Sequence, residues 1–100
     1  MIKQMGVLAL ASLGITLSAH ANESLAKNKA CLACHQIERK VVGPAFKDIA
    51  KQYKGKKNAT ADLAKKIKTG GKGVWGPVPM PAQNVTEEEA SQLATWILTM

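Results

Sequence analysis

An all-α domain of about four helices is the fold class this sequence predicts, and three observations predict it. Apolar residues recur at helical spacing in the segments 44–54, 58–69 and from 86 onward, and no run alternates apolar and polar as a half-buried strand would. Thr86-Glu87-Glu88-Glu89 has the form of a capping box opening the last of these segments. Glycine and proline cluster between the periodic segments or at their edges, where they end one helix before the next begins.

The chain of 100 residues does not begin with any of these helices. Lys3 supplies a charged start, Met5 to Leu17 is a run of 13 uncharged residues, and Ala19-His20-Ala21 has the small-x-small form of a cleavage site. A membrane-spanning helix needs about 20 apolar residues, so residues 1–21 read as a cleaved secretory signal peptide rather than an anchor. The destination expected is a bacterial periplasm. The functional domain is then 22–100, and removing 21 of 100 residues leaves 79. With the leader goes His20, so His35 is the one histidine left, and Met80 and Met100 are the two methionines. Lys3 goes too, which brings the formal charge from +7 to +6.

Residues 22–33 read as a helix. Asn22 or Ser24 is placed to cap it, Glu23 lies near its positive end, and Leu25 and Leu32 mark its buried face. It runs into Cys31-Leu32-Ala33-Cys34-His35, the C-x-x-C-H signature of covalent c-type haem attachment. Residues three apart share a helix face. Each thiol can therefore reach one vinyl group, and His35 falls beneath the iron as its proximal ligand.

A connector, 36–42, ends at Gly43-Pro44. Proline suits a first helical position, and a helix over 44–54 follows, with Phe46, Ile49, Ala50 and Tyr53 on one stripe and Lys47, Lys51 and Lys54 off it. Gly55 stops it. Asn58 or Thr60 opens the next, which buries Leu63, Ala64 and Ile67, exposes Lys65, Lys66 and Lys68, and stops at Gly70-Gly71. The last helix buries Ala90, Leu93, Ala94 and Ile97, with Trp96 at the flank.

Between the last two helices lies a strap of 16 residues, Gly70 to Val85, centred on Trp75-Gly76-Pro77-Val78-Pro79-Met80-Pro81. Structureless loops of this length are uncommon in small domains and usually functional. Pro77, Pro79 and Pro81 fix alternate φ angles and remove backbone donors, so the strap is stiff and unsuited to a sheet ladder. A stiff strap with one methionine suits pressing a thioether onto a metal. With C-x-x-C-H upstream and no second histidine, Met80 is expected as the distal ligand, since His/Met ligation is a cytochrome c arrangement.

Scarcity of core points the same way. A mature domain this small has four aromatic residues, Phe46, Tyr53, Trp75 and Trp96, and chains of this size struggle to bury enough apolar surface unaided. A large flat apolar cofactor repairs that. Rival readings of the two cysteines fare worse. A closed zinc site wants four ligands and an iron–sulfur cluster normally four cysteines. A thioredoxin-like pair belongs beside a βαβ pattern, and a plain disulfide explains neither His35 nor the strap.

The sequence resembles the small bacterial class I c-type cytochromes, the cytochrome c-551/c-552 group. The resemblance is carried by Asn28-Lys29-Ala30-Cys31-Leu32-Ala33-Cys34-His35, Val42-Gly43-Pro44-Ala45, Gly73-Val74-Trp75-Gly76-Pro77-Val78-Pro79-Met80-Pro81 and Trp96-Ile97-Leu98. It implies a class I cytochrome c fold, four helices wrapped around one covalent haem c, with the first and last helices crossing. It implies His35 and Met80 as axial ligands and the Pro44 carbonyl as acceptor for the free ring nitrogen of His35, an arrangement that fixes ring orientation. Trp75 matches a position whose indole donates to a haem propionate. Lys66 matches one where relatives often carry arginine for that purpose, and a lysine there holds more loosely. Where relatives often read Met-Pro-Pro-Asn, this chain has Met80-Pro81-Ala82-Gln83-Asn84, so both Gln83 and Asn84 are candidates for a hydrogen bond near the ligand sulfur.

The function expected is a soluble electron carrier and not an enzyme. Its partners would be larger redox proteins, with terminal oxidase, nitrite reductase and cytochrome peroxidase all open. Lys27, Lys29, Lys47, Lys51 and Lys72 are the candidates for steering acidic partners. No nucleic acid, no membrane anchor after cleavage and a monomeric state complete the reading. The alternative is a peroxidase-like haem enzyme or gas sensor with a labile sixth position, against which stand Met80 and the lack of a distal histidine or arginine.

Overall fold

The computed structural model describes residues 22–100, so the signal peptide read into residues 1–21 lies outside the described residues. Helix α1 covers residues 22–28, α2 Phe46–Tyr53, α3 Ala59–Thr69 and α4 Glu87–Leu98. A 3-10 turn, Cys31–Ala33, follows α1. Among the described residues no strand forms, and two isolated bridges, His35 with Lys40 and Gly71 with Met80, are the only β pairing. The domain is all-helical, as the periodicity predicts.

Helices α2 and α3 both pack on α4. The Thr86 hydroxyl accepts the Glu89 amide proton at 3.1 Å, and the Glu89 carboxylate accepts that of Thr86 at 2.9 Å. Two of the donors orphaned at the helix start are thereby satisfied. The helix then buries Ala90, Leu93, Ala94 and Ile97, the stripe expected of it. Leu63 and Ile67 of α3 and Phe46 and Ile49 of α2 join the same cluster, in which Phe46 and Leu93 are the largest side chains fully buried. Burying one such side chain is worth about 2–3 kcal/mol.

Three local expectations are corrected. The helix predicted over 22–33 breaks after residue 28, and Ala30 turns the chain at φ 61°, ψ 21°. A left-handed non-glycine residue costs roughly 1–2 kcal/mol, so the turn is held by its surroundings. The 3-10 turn it starts runs from Cys31 to Ala33, with Cys34 at its end. Second, the buried residue of α1 is Ala26, while Leu25 and Leu32 are only partly buried.

Third, α2 starts at Phe46, not Pro44, and Ala45 stays extended at φ −61°, ψ 144°. The connector supplies the reason. The amide of Phe46 donates to the Gln36 carbonyl at 2.8 Å and that of Lys47 to Ile37 at 3.1 Å. Backbone from a distant segment satisfies the first turn, so no capping side chain is needed.

Candidate metal centre

One largely apolar cleft runs between the helices and the strap. Cys31, Cys34, His35, Pro44, Lys66, Trp75, Met80 and Gln83 all border it. Asn84 does not. It is exposed, and Gln83 instead donates its side-chain amide to the Pro81 carbonyl at 2.8 Å, beside the methionine.

The best-defined group is the His35 ring. It is buried, and its Nδ1 lies 2.7 Å from the Pro44 carbonyl oxygen. A carbonyl can only accept, so Nδ1 carries a proton, and in the neutral ring Nε2 keeps its lone pair. The bond therefore selects the tautomer that can bind a metal, and fixes the plane in which it does so. Phe46 stacks on the ring with centroids 5.3 Å apart and planes 21° from parallel, and Trp96 meets Phe46 edge-on at 5.5 Å. Gly43 closes another side, where a Cβ would fall 2.5 Å from the ring's Cε1.

The two thiols sit on the same turn. Cys31 is half-buried and Cys34 exposed, and their sulfurs are not bonded to each other. Burial pushes the Cys31 thiol up from its usual range, partly offset by a backbone hydrogen bond. Among the described residues no three His, Cys, Asp or Glu side chains gather as a metal-binding group, so nothing completes a zinc site around the pair.

Met80 comes from the strap, and the strap is not free backbone. The Met80 amide donates to the Gly71 carbonyl at 2.8 Å, and the Gly71 amide to Met80 at 3.0 Å. Proline excludes its neighbours Pro79 and Pro81 from donating, so Met80 is where this stretch can pair at all. No sheet ladder forms along the strap; its β pairing is the single isolated bridge between Gly71 and Met80.

Sequence reasoning missed several contributors. Gly43 and Phe46 brace the imidazole, although Gly43 reads as turn punctuation and Phe46 as ordinary core. Lys40 borders the cleft together with Lys66 and Lys72. Of the five lysines expected to steer partners, Lys29 lies 3.7 Å from Glu89 and Lys47 2.8 Å from Glu38, so these two are ion-paired.

The donor set suits a haem. Two thiols on one turn can take two substituents of one ring, an imidazole with a free lone pair suits an iron, and a thioether from a separate element can complete it. The rest of the cleft is mostly apolar, as the flat of a porphyrin requires.

Comparison with known proteins agrees. Cytochrome c-552 of Hydrogenobacter thermophilus is 57% identical over 93 residues, which cover 93% of this chain and 95% of that protein. Cytochrome c-551 of Pseudomonas aeruginosa is 46% identical over 98% of both chains. The crystal structure of wild-type Nitrosomonas europaea cytochrome c552 superimposes with a TM-score of 0.75 at 56% identity, covering 77% of this chain and 96% of that one. The family described as Cytochrome c matches residues 21–100. Likeness of this degree along the whole helical domain means that the chain belongs to the cytochrome c family, as one of its small electron carriers with covalent haem and not as an enzyme.

Proposed function

We propose that Cys31 and Cys34 hold the haem through thioether bonds, that Nε2 of His35 and the sulfur of Met80 are its axial ligands, and that the protein carries single electrons between larger redox proteins of a bacterial periplasm. The observation that carries this is the His35 ring, locked by Pro44 into the metal-binding tautomer, in the same cleft as Met80. When bound, the group supplies a ferric/ferrous couple, and a methionine ligand raises its potential.

The chain's residues supply orientation and shielding. Phe46 and Gly43 stop the imidazole from turning. Trp75 and Lys66 border the cleft as donors for propionate carboxylates, Lys66 as a point charge and not a fork. Val42, Val74 and Val78 at the cleft are 51, 54 and 62% exposed. With Lys40 and Lys72 beside them, they offer an apolar contact with a basic rim, suited to a redox partner with an acidic rim. Export rests on residues 1–21, with cleavage after Ala21. No helix among the described residues is long and apolar enough to cross a membrane.

Spectra of the purified protein in both oxidation states test the ligation. Low-spin iron with a methionine-to-iron charge-transfer band is expected, and Met80→Ala should abolish that band. Prompt carbon monoxide binding by the reduced protein at neutral pH would point instead to an open sixth position. Mass analysis of exported protein should give a chain starting at Asn22 with one tetrapyrrole added.

A further inference from the structure

We propose that Gly70 is a positioning residue for Met80, so that the end of α3 sets where the thioether stands. The inference rests on Met80 being the axial ligand and adds the residue that holds its backbone in place. The paired amides of Gly71 and Met80 close residues 71–80 into a loop whose neck follows directly on the end of α3. On the far side of the ligand, the Gln83 amide donates to the Ile67 carbonyl at 3.1 Å, fastening the outgoing chain to the same helix.

Gly70 lies at the neck. Its φ of 76° and ψ of −174° are a backbone conformation essentially confined to glycine. A Cβ there would stand 2.5 Å from the Met80 carbonyl oxygen, 2.8 Å from the Ala82 nitrogen and 3.0 Å from the Pro81 carbonyl carbon. All three are backbone atoms of the ligand's own segment, so no side-chain rotation relieves the overlap. The strap has to move, and Met80 moves with it.

Neighbouring glycines provide the contrast. Gly55 and Gly73 also have positive φ, 82° and 91°, but a Cβ on either meets nothing within 4 Å. At Gly71 a Cβ meets the Lys66 Nζ at 3.1 Å, the free end of a flexible chain. Substitution at 55 or 73 therefore strains backbone alone, and at 71 it displaces a lysine. Of these four, only at 70 does it displace Met80.

The test compares Gly70→Ala, Gly55→Ala, Gly73→Ala and Gly71→Ala in the haem-loaded protein by denaturant midpoint, charge-transfer band and reduction potential. Gly55→Ala and Gly73→Ala should lower the midpoint and keep band and potential, and Gly71→Ala, which pushes on the Lys66 side chain, should keep the band. Gly70→Ala should lose most of the band and fall in potential. A Gly70→Ala protein matching Gly55→Ala in band and potential overturns the proposal. Should that variant not accumulate, amide hydrogen exchange in the unaltered protein decides: the Gly71 and Met80 amides should exchange at least about tenfold more slowly than those of Lys72 and Val78, and equal rates overturn it. Met80→Ala separates the two readings. If it leaves the band intact, the ligation is wrong; if it abolishes the band while Gly70→Ala is silent, only the role of Gly70 fails.

Discussion

The two sides of the cleft are built by different means. On the helical side, Phe46, Leu63, Ile67, Leu93 and Ile97 interlock in one buried cluster, and α4 is closed off by its own capping box. Across from them, every residue from Gly71 to Pro79 except Gly76 is exposed, and the strap is fixed by backbone hydrogen bonds to α3 and to itself. Side-chain packing gives the first side its stability. The second side has geometry with little packing beneath it, the pattern expected of a low-stability segment. Damage to the helices should therefore appear as lost stability, damage to the strap where it meets Met80 as altered ligation, and damage to its exposed valines as altered docking.

Leu93→Ala attacks the helical side at its best-packed point and should cost about 2–5 kcal/mol in denaturant unfolding. The fraction still folded should keep its methionine band; loss of the band ahead of unfolding would erase the distinction between the two sides. Thr86→Ala removes one half of the capping box and should cost about 1 kcal/mol, again with an unchanged spectrum.

The Glu89 carboxyl sharpens the point through pH. The backbone N–H of Thr86 holds it below the usual carboxylate range, and Lys29 adds to this. A lowered folded pKa means that its contribution is present above the unfolded value near 4.3 and is lost as pH falls through the folded one. Acid titration of stability should show that loss in the wild type, and Glu89→Gln should flatten it. The smallest thermodynamic effect belongs to Val78→Ser on the exposed strap, within about 0.5 kcal/mol. It should nevertheless slow electron transfer to a protein partner; unchanged partner kinetics would remove Val78 from the docking face.

What could be read from the sequence divides along the same line. The α4 capping box, its stripe and the stop at Gly70 are local, written within a few turns of chain, and the structure has them where expected. The break at Ala30, the late start of α2 at Phe46 and the Gly71–Met80 pairing depend on residues distant in the chain, which no periodicity reports. Pro44 shows how the two kinds of information part company. Its fixed φ suits the first turn of a helix, yet amides of Phe46 and Lys47 donate to the connector and hold the chain extended there. The candidate site was legible where its chemistry is contiguous, in Cys31, Cys34 and His35. It was not legible where packing decides, as with Phe46 and Gly43 around the imidazole, or with Lys29 and Lys47, whose carboxylate partners lie on other segments.

The acceptor on His35 has one more consequence. Pro44 contributes an uncharged oxygen with no proton of its own to gain or lose, whereas an aspartate in that place would pull the imidazole toward its anion and would titrate. Under the ligation proposed, the group that orients the proximal ring keeps a fixed charge whichever oxidation state the iron holds. Its grip on the ring rests on geometry alone, whatever the acidity of the compartment.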